Sequence, residues 1–311
     1  MFLYSSYNVS IFILPSTVGG GIIGLLINFA LELIGLSIFQ YFTKFPLKYV
    51  LLVCCFVVTF LIISADVSLW LYYVISGICG VGGAFLSLIQ GCVVIGDESD
   101  VEVIKFNVLY SMSFILGPLV CLSCTVDYLK MIVVILGCLA CVSSLFVDRI
   151  TPPPLDKITV DSMLGVVMFL HGYNEGLFYV YVPLQISEVI GILYVGLVYG
   201  ISLFLVGLLL TWYTPRDSLM LFACLICGSL VGYCYHARLY YGLAIVCGVF
   251  DNIILCAIMG RIKEHEYSGY SFLWILGYLI ATLVCIGRFS NHFVWISLMV
   301  VWFYSIVILL M

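Results

Sequence analysis

Three carboxylic acids stand inside long apolar stretches of this chain: Glu32, Glu175 and Asp251. No Lys or Arg sits comparably deep in those stretches to neutralise them. An ionisable group at such depth is costly, so each needs a hydrogen-bond partner or a water-filled cavity. Two chemistries follow. The acids are protonated and tie helices together, or they take up a cation, a proton included, inside a central cleft.

Glu175 has the richest surroundings, in His171-Gly172-Tyr173-Asn174-Glu175-Gly176. His171 and Glu175 are four apart and so share one helix face. A histidine can change charge near neutral pH, which would let the pair couple to protons. The glycines on either side permit a local break, and such breaks expose backbone carbonyls to a ligand. The plainer reading is a buried hydrogen-bonded pair that packs its helix. Asp251 carries Asn252 beside it, and Glu32 shares a face with Asn28 at the same four-residue spacing. Together Glu175, His171, Asn174, Asp251, Asn252, Glu32 and Asn28 are the expected lining of a substrate or ion cavity. For each of them the alternative is a structural hydrogen bond.

Other chemistries find little support. The four histidines, His171, His236, His265 and His292, have no metal-ligand spacing. Cys121-x-x-Cys124 is a weak metal signal, more readily read as packing. There is no glycine-rich phosphate loop with a lysine, and no set of residues points to nucleophilic catalysis. The expectation is a non-enzyme without cofactor or metal. Charge is sparse and spread over short loops, with a net of −5, so nucleic-acid binding has no basis.

The elements that must position these acids are written in the composition. Of 311 residues, 65% are hydrophobic and 9% charged. Soluble domains hold about 45–50% apolar and about 25% charged residues, so here the lipid bilayer must be the solvent. In lipid only helices and closed barrels satisfy their backbone. The apolar runs are continuous and about 18–25 residues long, one bilayer-spanning helix each. Barrel strands would be shorter and alternate. The runs predict spans at 17–41, 47–64, 69–96, 103–124, 130–147, 162–183, 189–213, 217–236, 239–260, 269–287 and 292–310. Residues 1–14 read as the tail of a further, shortened helix. Most of the 14 cysteines fall inside these runs, where they act as small packing residues rather than disulfide partners.

Lysines and arginines set the orientation. Lys44, Lys48, Lys105, Arg149, Lys157, Arg216, Arg261 and Lys263 fall on one side of the membrane, with only Lys130, Arg238 and Arg288 on the other. The first side is expected to be cytoplasmic, with both chain ends there, in the plasma membrane or an endomembrane. The longest polar loop, DRITPPPLDKITVD at 148–161, carries three prolines and suits a linker. It would join an N-terminal half, 1–147, to a C-terminal half, 162–311.

An internal repeat supports two halves. Tyr240-Tyr241 and Cys247-Gly248-Val249 stand 168 positions after Tyr72-Tyr73 and Cys79-Gly80-Val81. Tyr213-Thr214-Pro215-Arg216 ends a span 172 positions after Tyr41-Phe42-Thr43-Lys44. Parallel six-helix repeats are the build of major facilitator transporters. The expected fold is therefore an all-α, polytopic transmembrane bundle of two pseudo-symmetric six-helix halves. On the same mapping about ten residues of the first helix are missing, or the true start lies upstream. The repeat also pairs Asp251 with Gly83, making the acid an addition on one side only. Gly77, Gly80 and Gly83 recur every three residues, which lets a neighbouring helix approach closely. Asp97, Glu98, Asp100 and Glu102 read as a solvated turn.

Several segments together resemble the Unc-ninety-three-like branch of the major facilitator superfamily. GVGGAFLSLIQGCVVIGDESDVEVIKFNVLYSMSFILG (80–117) is similar to its glycine-rich fourth helix, acidic loop and fifth helix, with Gly80, Gly82, Gln90-Gly91, Asp97 to Glu102 and Asn107 in place. GVFDNIILCAIMG (248–260) is similar to its Gly-x-x-Asp helix through Gly248 and Asp251. YSFLWILGYLIA (270–281) resembles its eleventh helix, and HGYNEGLFYVYV (171–182) its seventh. The chain departs from the family pattern at Glu175, one position late, and at Ser87, where a tryptophan is usual. It departs also after Asp251, where an apolar residue replaces the usual glutamine. The resemblance implies transport of a small solute or ion, with the lipid bilayer as surroundings. The family also holds a regulator of potassium-channel complexes and a trafficking chaperone for receptors. The alternative it implies is thus a non-transporting partner of a membrane channel or receptor.

Overall fold

A computed structural model of the protein describes residues 21–39, 47–64, 68–96, 100–123, 126–145, 160–186, 189–212, 217–259, 262 and 267–287. Every regular element among them is an α-helix: α1 Gly21–Phe39, α2 Leu47–Ser64, α3 Leu69–Gly96, α4 Asp100–Ser123 and α5 Val126–Leu145. α6 Ser162–Gln185, α7 Val189–Trp212, α8 Asp217–Ala237, α9 Tyr240–Met259 and α10 Tyr267–Ile286 complete the set. Each lies within about a turn of an apolar run read from the sequence. The expected spans at 1–14 and 292–310, the linker at 148–159 and Cys124 lie outside the described residues. Asp100 and Glu102 belong to the first turn of α4 rather than to the preceding loop.

Large apolar side chains cover the outside, among them Phe56, Phe60, Trp70 and Trp212, the last 85% exposed. Such a surface is stable against lipid, not water. Among the described residues, four helical stretches, Gly21–Ile38, Leu69–Leu88, Ile190–Trp212 and Gly269–Ile286, are long and apolar enough to cross a membrane by length and composition.

Inside, backbones meet where glycine removes the side chain, the usual device of membrane bundles. A Cβ on Gly80 would strike the Asn28 backbone, and one on Gly77 would lie 2.8 Å from Leu31. This stripe seats α3 on α1. Its repeat partner Gly248 does the same for α9 and α7, with a Cβ there 2.8 Å from the Tyr199 carbonyl and 3.0 Å from Leu203 N. Equivalent glycines thus join equivalent helix pairs. The contacts between the halves repeat the pattern: α1 packs on α10, and α4 on α7. Gly200 faces the Phe114 backbone at 2.7 Å, and Gly196 faces the ring of Pro118 at 3.4 Å. Tyr72, near the start of α3, is 1% exposed and directed toward Gly24, because its helix lies against α1 there.

α6 and α10 pack backbone against backbone. A Cβ on Gly172 would overlap the Trp274 carbonyl, and one on Gly277 would overlap the Phe169 carbonyl. α6 begins sharply at Asp161, whose carboxylate accepts from Met163 N at 2.9 Å and Leu164 N at 3.2 Å. That N-cap satisfies two of the helix's open donors. The Asp161 N–H donates to the Tyr270 hydroxyl at 3.0 Å, which pins the entry of α6 to α10. From His171 to Phe178 every residue of α6 is buried.

Candidate functional site

The glycine contacts hold α6 so that His171 and Glu175, one turn apart, point to the same place. α9 brings Asp251 to that place from the far side of the imidazole. His171 Nε2 lies 3.6 Å from Glu175 Oε1, and His171 Nδ1 lies 3.7 Å from Asp251 Oδ1. The three side chains are 0%, 4% and 1% exposed. One ligand-type atom from each lies within 4.8 Å of the others. Buried charge of this kind must be compensated locally, and no Lys or Arg is among the buried residues described.

The outer oxygens of both carboxylates are already engaged. Trp274 Nε1 donates to Glu175 Oε2 at 2.7 Å, and the Tyr278 hydroxyl donates to the same oxygen at 2.6 Å. The Tyr199 hydroxyl donates to Asp251 Oδ2 at 3.0 Å. The inner oxygens, Oε1 and Oδ1, turn to the imidazole. Asp251 Oδ1 is buried and has no hydrogen-bond donor among the described residues. The indole of Trp274 also stacks on His171, ring centroids 5.8 Å apart at 22°. Asn174, 1% exposed, has both amide atoms without a partner among the described residues. It stands three residues from His171, on the same side of α6.

The other acid and amides read from the sequence go elsewhere. Asn252 donates to the Leu203 carbonyl at 2.5 Å and lies over Gly207, so it ties α9 to α7. Asn28 donates to the Ser76 carbonyl at 3.0 Å, tying α1 to α3. The Glu32 carboxyl rests against Gly83, 3.0 Å from a Cβ there, and Ser87 Oγ donates to its Oε1 at 3.5 Å. The fold does not bring Glu32 into the group around His171. Its neighbours explain the repeat mismatch: where Gly83 stands on α3 the acid comes from α1, and where Asp251 stands on α9 the hydroxyl comes from α7.

Sequence reasoning missed the three donors, Tyr199, Trp274 and Tyr278. A signal existed. Trp274 and Tyr278 are four apart on one face of an apolar span, and each carries a polar handle that must find a partner when buried.

Two of these donors also reach across the molecule. Tyr278 packs on Phe29 of α1 at 4.9 Å between centroids, and Tyr199 packs on Phe114 of α4 at 5.7 Å. Tyr179 of α6 joins both sets, 6.0 Å from Tyr278, 5.6 Å from Tyr199 and 6.2 Å from Phe114.

No protein-family model matches the chain. No curated protein matches it in sequence. Solved structures do match in fold. The human organic anion transporter MFSD10 (TETRAN) superposes with a TM-score of 0.68 at 14% identity, covering 99% of this chain and 96% of that one. The Escherichia coli fucose:proton symporter FucP gives 0.65 at 13% identity, covering 98% and 95%. A bacterial homologue of the iron transporter ferroportin, in an outward-facing state, gives 0.69 at 12% identity, covering 99% and 96%. At such identities the likeness is one of architecture, and it runs the length of the chain: this protein has the major facilitator fold.

Proposed function

We propose that the chain is a secondary transporter, which moves a small solute or ion by rocking two halves, 1–147 and 162–311, joined by the linker 148–161. The cation it carries or couples to is taken at His171, Glu175 and Asp251. The observation that carries this reading is the convergence of the three groups from two helices, deep in the bundle. Each carboxylate is held by hydroxyl or indole donors on its outer side and opens inward.

The same donors supply the link to motion. The Tyr278 and Tyr199 hydroxyls hold the acids, while their rings pack against Phe29 and Phe114 of the other half. A change in charge at the site alters what the hydroxyls hold, and so alters how the rings seat across the interface. The site thereby biases an equilibrium between two arrangements of the halves, as transport requires. Within the superfamily we assign the chain to the Unc-ninety-three-like branch, on its segments 80–117 and 248–260. The similar solved structures include an organic anion transporter and a fucose:proton symporter. Organic anions and sugars are therefore the first solutes to offer.

The test is uptake into proteoliposomes that hold a pH-sensitive dye and a divalent-cation-sensitive dye, with organic anions and sugars offered outside. Flux above empty vesicles is expected for the native chain. Glu175→Gln is expected to abolish it at unchanged protein abundance. Unchanged flux in that variant would count against the reading.

A further inference from the structure

From the geometry around His171 we infer that the cation is a first-row divalent transition metal, held by His171, Glu175 and Asp251. This inference deepens the transport reading and rests on it only for the fate of the ion, not for its binding.

The distances are the first argument. An N–H···O bond spans about 2.7–3.2 Å. The two imidazole–carboxylate separations, 3.6 and 3.7 Å, exceed that. They lie closer to the edge between two ligands of one ion, roughly 3–3.5 Å when metal–ligand bonds are about 2.0–2.2 Å, and one ligand-type atom from each of the three residues lies within 4.8 Å of the others. One imidazole nitrogen takes the metal.

The outer donors are the second argument. Trp274, Tyr278 and Tyr199 bind only Oε2 of Glu175 and Oδ2 of Asp251. They orient each carboxylate and leave its inner oxygen facing His171, as outer-shell partners do around metals. Asp251 Oδ1 is buried and lacks a donor among the described residues, a cost that a bound cation removes. Two carboxylates also balance a charge of two, with no buried Lys or Arg described nearby.

The donor set selects the ion. One imidazole with carboxylates suits Zn²⁺, Fe²⁺, Co²⁺ or Mn²⁺. Ca²⁺ and Mg²⁺ prefer all-oxygen shells, and cuprous ion prefers sulfur. Asn174, buried and with an amide that lacks a partner among the described residues, stands on the His171 side of α6 and is the nearest further oxygen donor in sequence. A coordination shell with an open place suits an ion that must enter and leave.

The experiment is direct binding of Zn²⁺, and of Co²⁺ as an optical probe, to the purified full chain in detergent. One equivalent is expected. His171→Gln, Glu175→Gln and Asp251→Asn are each expected to weaken binding by at least tenfold, since disturbing even an outer partner of a metal typically costs about 10–100-fold. His236→Gln, at an exposed residue at the end of α8, is expected to leave binding unchanged. Zinc absorption fine structure on the native chain needs no variant and guards against misfolding. It should show only nitrogen and oxygen at about 2.0–2.2 Å. Absent binding, binding that survives His171→Gln with Asp251→Asn, or a sulfur shell would each overturn the inference. The outcomes separate the two readings. Solute-linked proton flux without metal binding removes the metal and keeps the transporter. Metal binding without any flux keeps the metal and removes the transporter.

Discussion

At the scale of single residues the site is a matter of which oxygen each donor takes. Glu175 accepts two strong hydrogen bonds on one oxygen, from Trp274 and Tyr278. Removing one leaves the carboxylate in place but less firmly aimed. Tyr278→Phe keeps the ring and its packing on Phe29, and loses only the hydroxyl. Cation affinity is expected to fall about 10–100-fold. Stability should change by no more than about 0.6–1.7 kcal/mol, the range for hydrogen bonds between membrane helices. Binding isotherms and thermal unfolding of the same preparation check both halves of this prediction. Much of this site is legible in the sequence, because a carboxylate in an apolar run announces itself. His171 and Glu175 can be paired from helical spacing alone. That Asp251 joins them, and that Glu32 does not, is set by which helices the glycines bring together, and no local spacing encodes that. Tyr199 hides for another reason: a tyrosine in a span is as readily a packing residue as a donor.

At the scale of elements the controlling fact is how closely α6 and α10 approach. Gly172 and Gly277 sit where each helix touches the other's backbone. A methyl group at either position meets a carbonyl oxygen rather than a side chain that could turn aside. Gly172→Ala and Gly277→Ala are each expected to cost about 1–3 kcal/mol, the range for overpacking a filled interface. They should also weaken cation binding, because Trp274 and Tyr278 ride on the displaced helix. Gly242, which faces only Cys234 Sγ at 3.4 Å and Leu239 at 3.7 Å, should tolerate alanine. Thermal melts of the three variants in one detergent decide the matter. The extent of the helices is well written in the sequence, since a bilayer fixes their length. Gly77, Gly80 and Gly83 likewise read correctly as a packing stripe. Asp100 and Glu102 read less well: polarity alone does not distinguish a turn from the first turn of a helix that welcomes acids. Tyr72, near a span end, is buried because a glycine opposite it, Gly24, opens room inside, which its own position in the span does not encode.

At the scale of the whole molecule, two bundles meet along α1 with α10 and α4 with α7, and the cluster of His171, Glu175 and Asp251 belongs to helices on the C-terminal side of that seam. The repeat at 168 residues carries this architecture in the sequence, since Gly80 and Gly248 keep both the sequence match and the same structural task. The aromatic set of Phe29, Tyr278, Tyr179, Tyr199 and Phe114 crosses the seam and touches both acids through its hydroxyls. Cation uptake and movement of the halves should therefore be one event. The most direct measurement is the charge displaced when a cation jump, in protons or in Zn²⁺, is applied to proteoliposomes adsorbed on a solid-supported membrane. The expected result is a transient current in the native chain that disappears in Glu175→Gln and in Asp251→Asn. A current of unchanged size in those two variants would contradict a cation site at His171, Glu175 and Asp251.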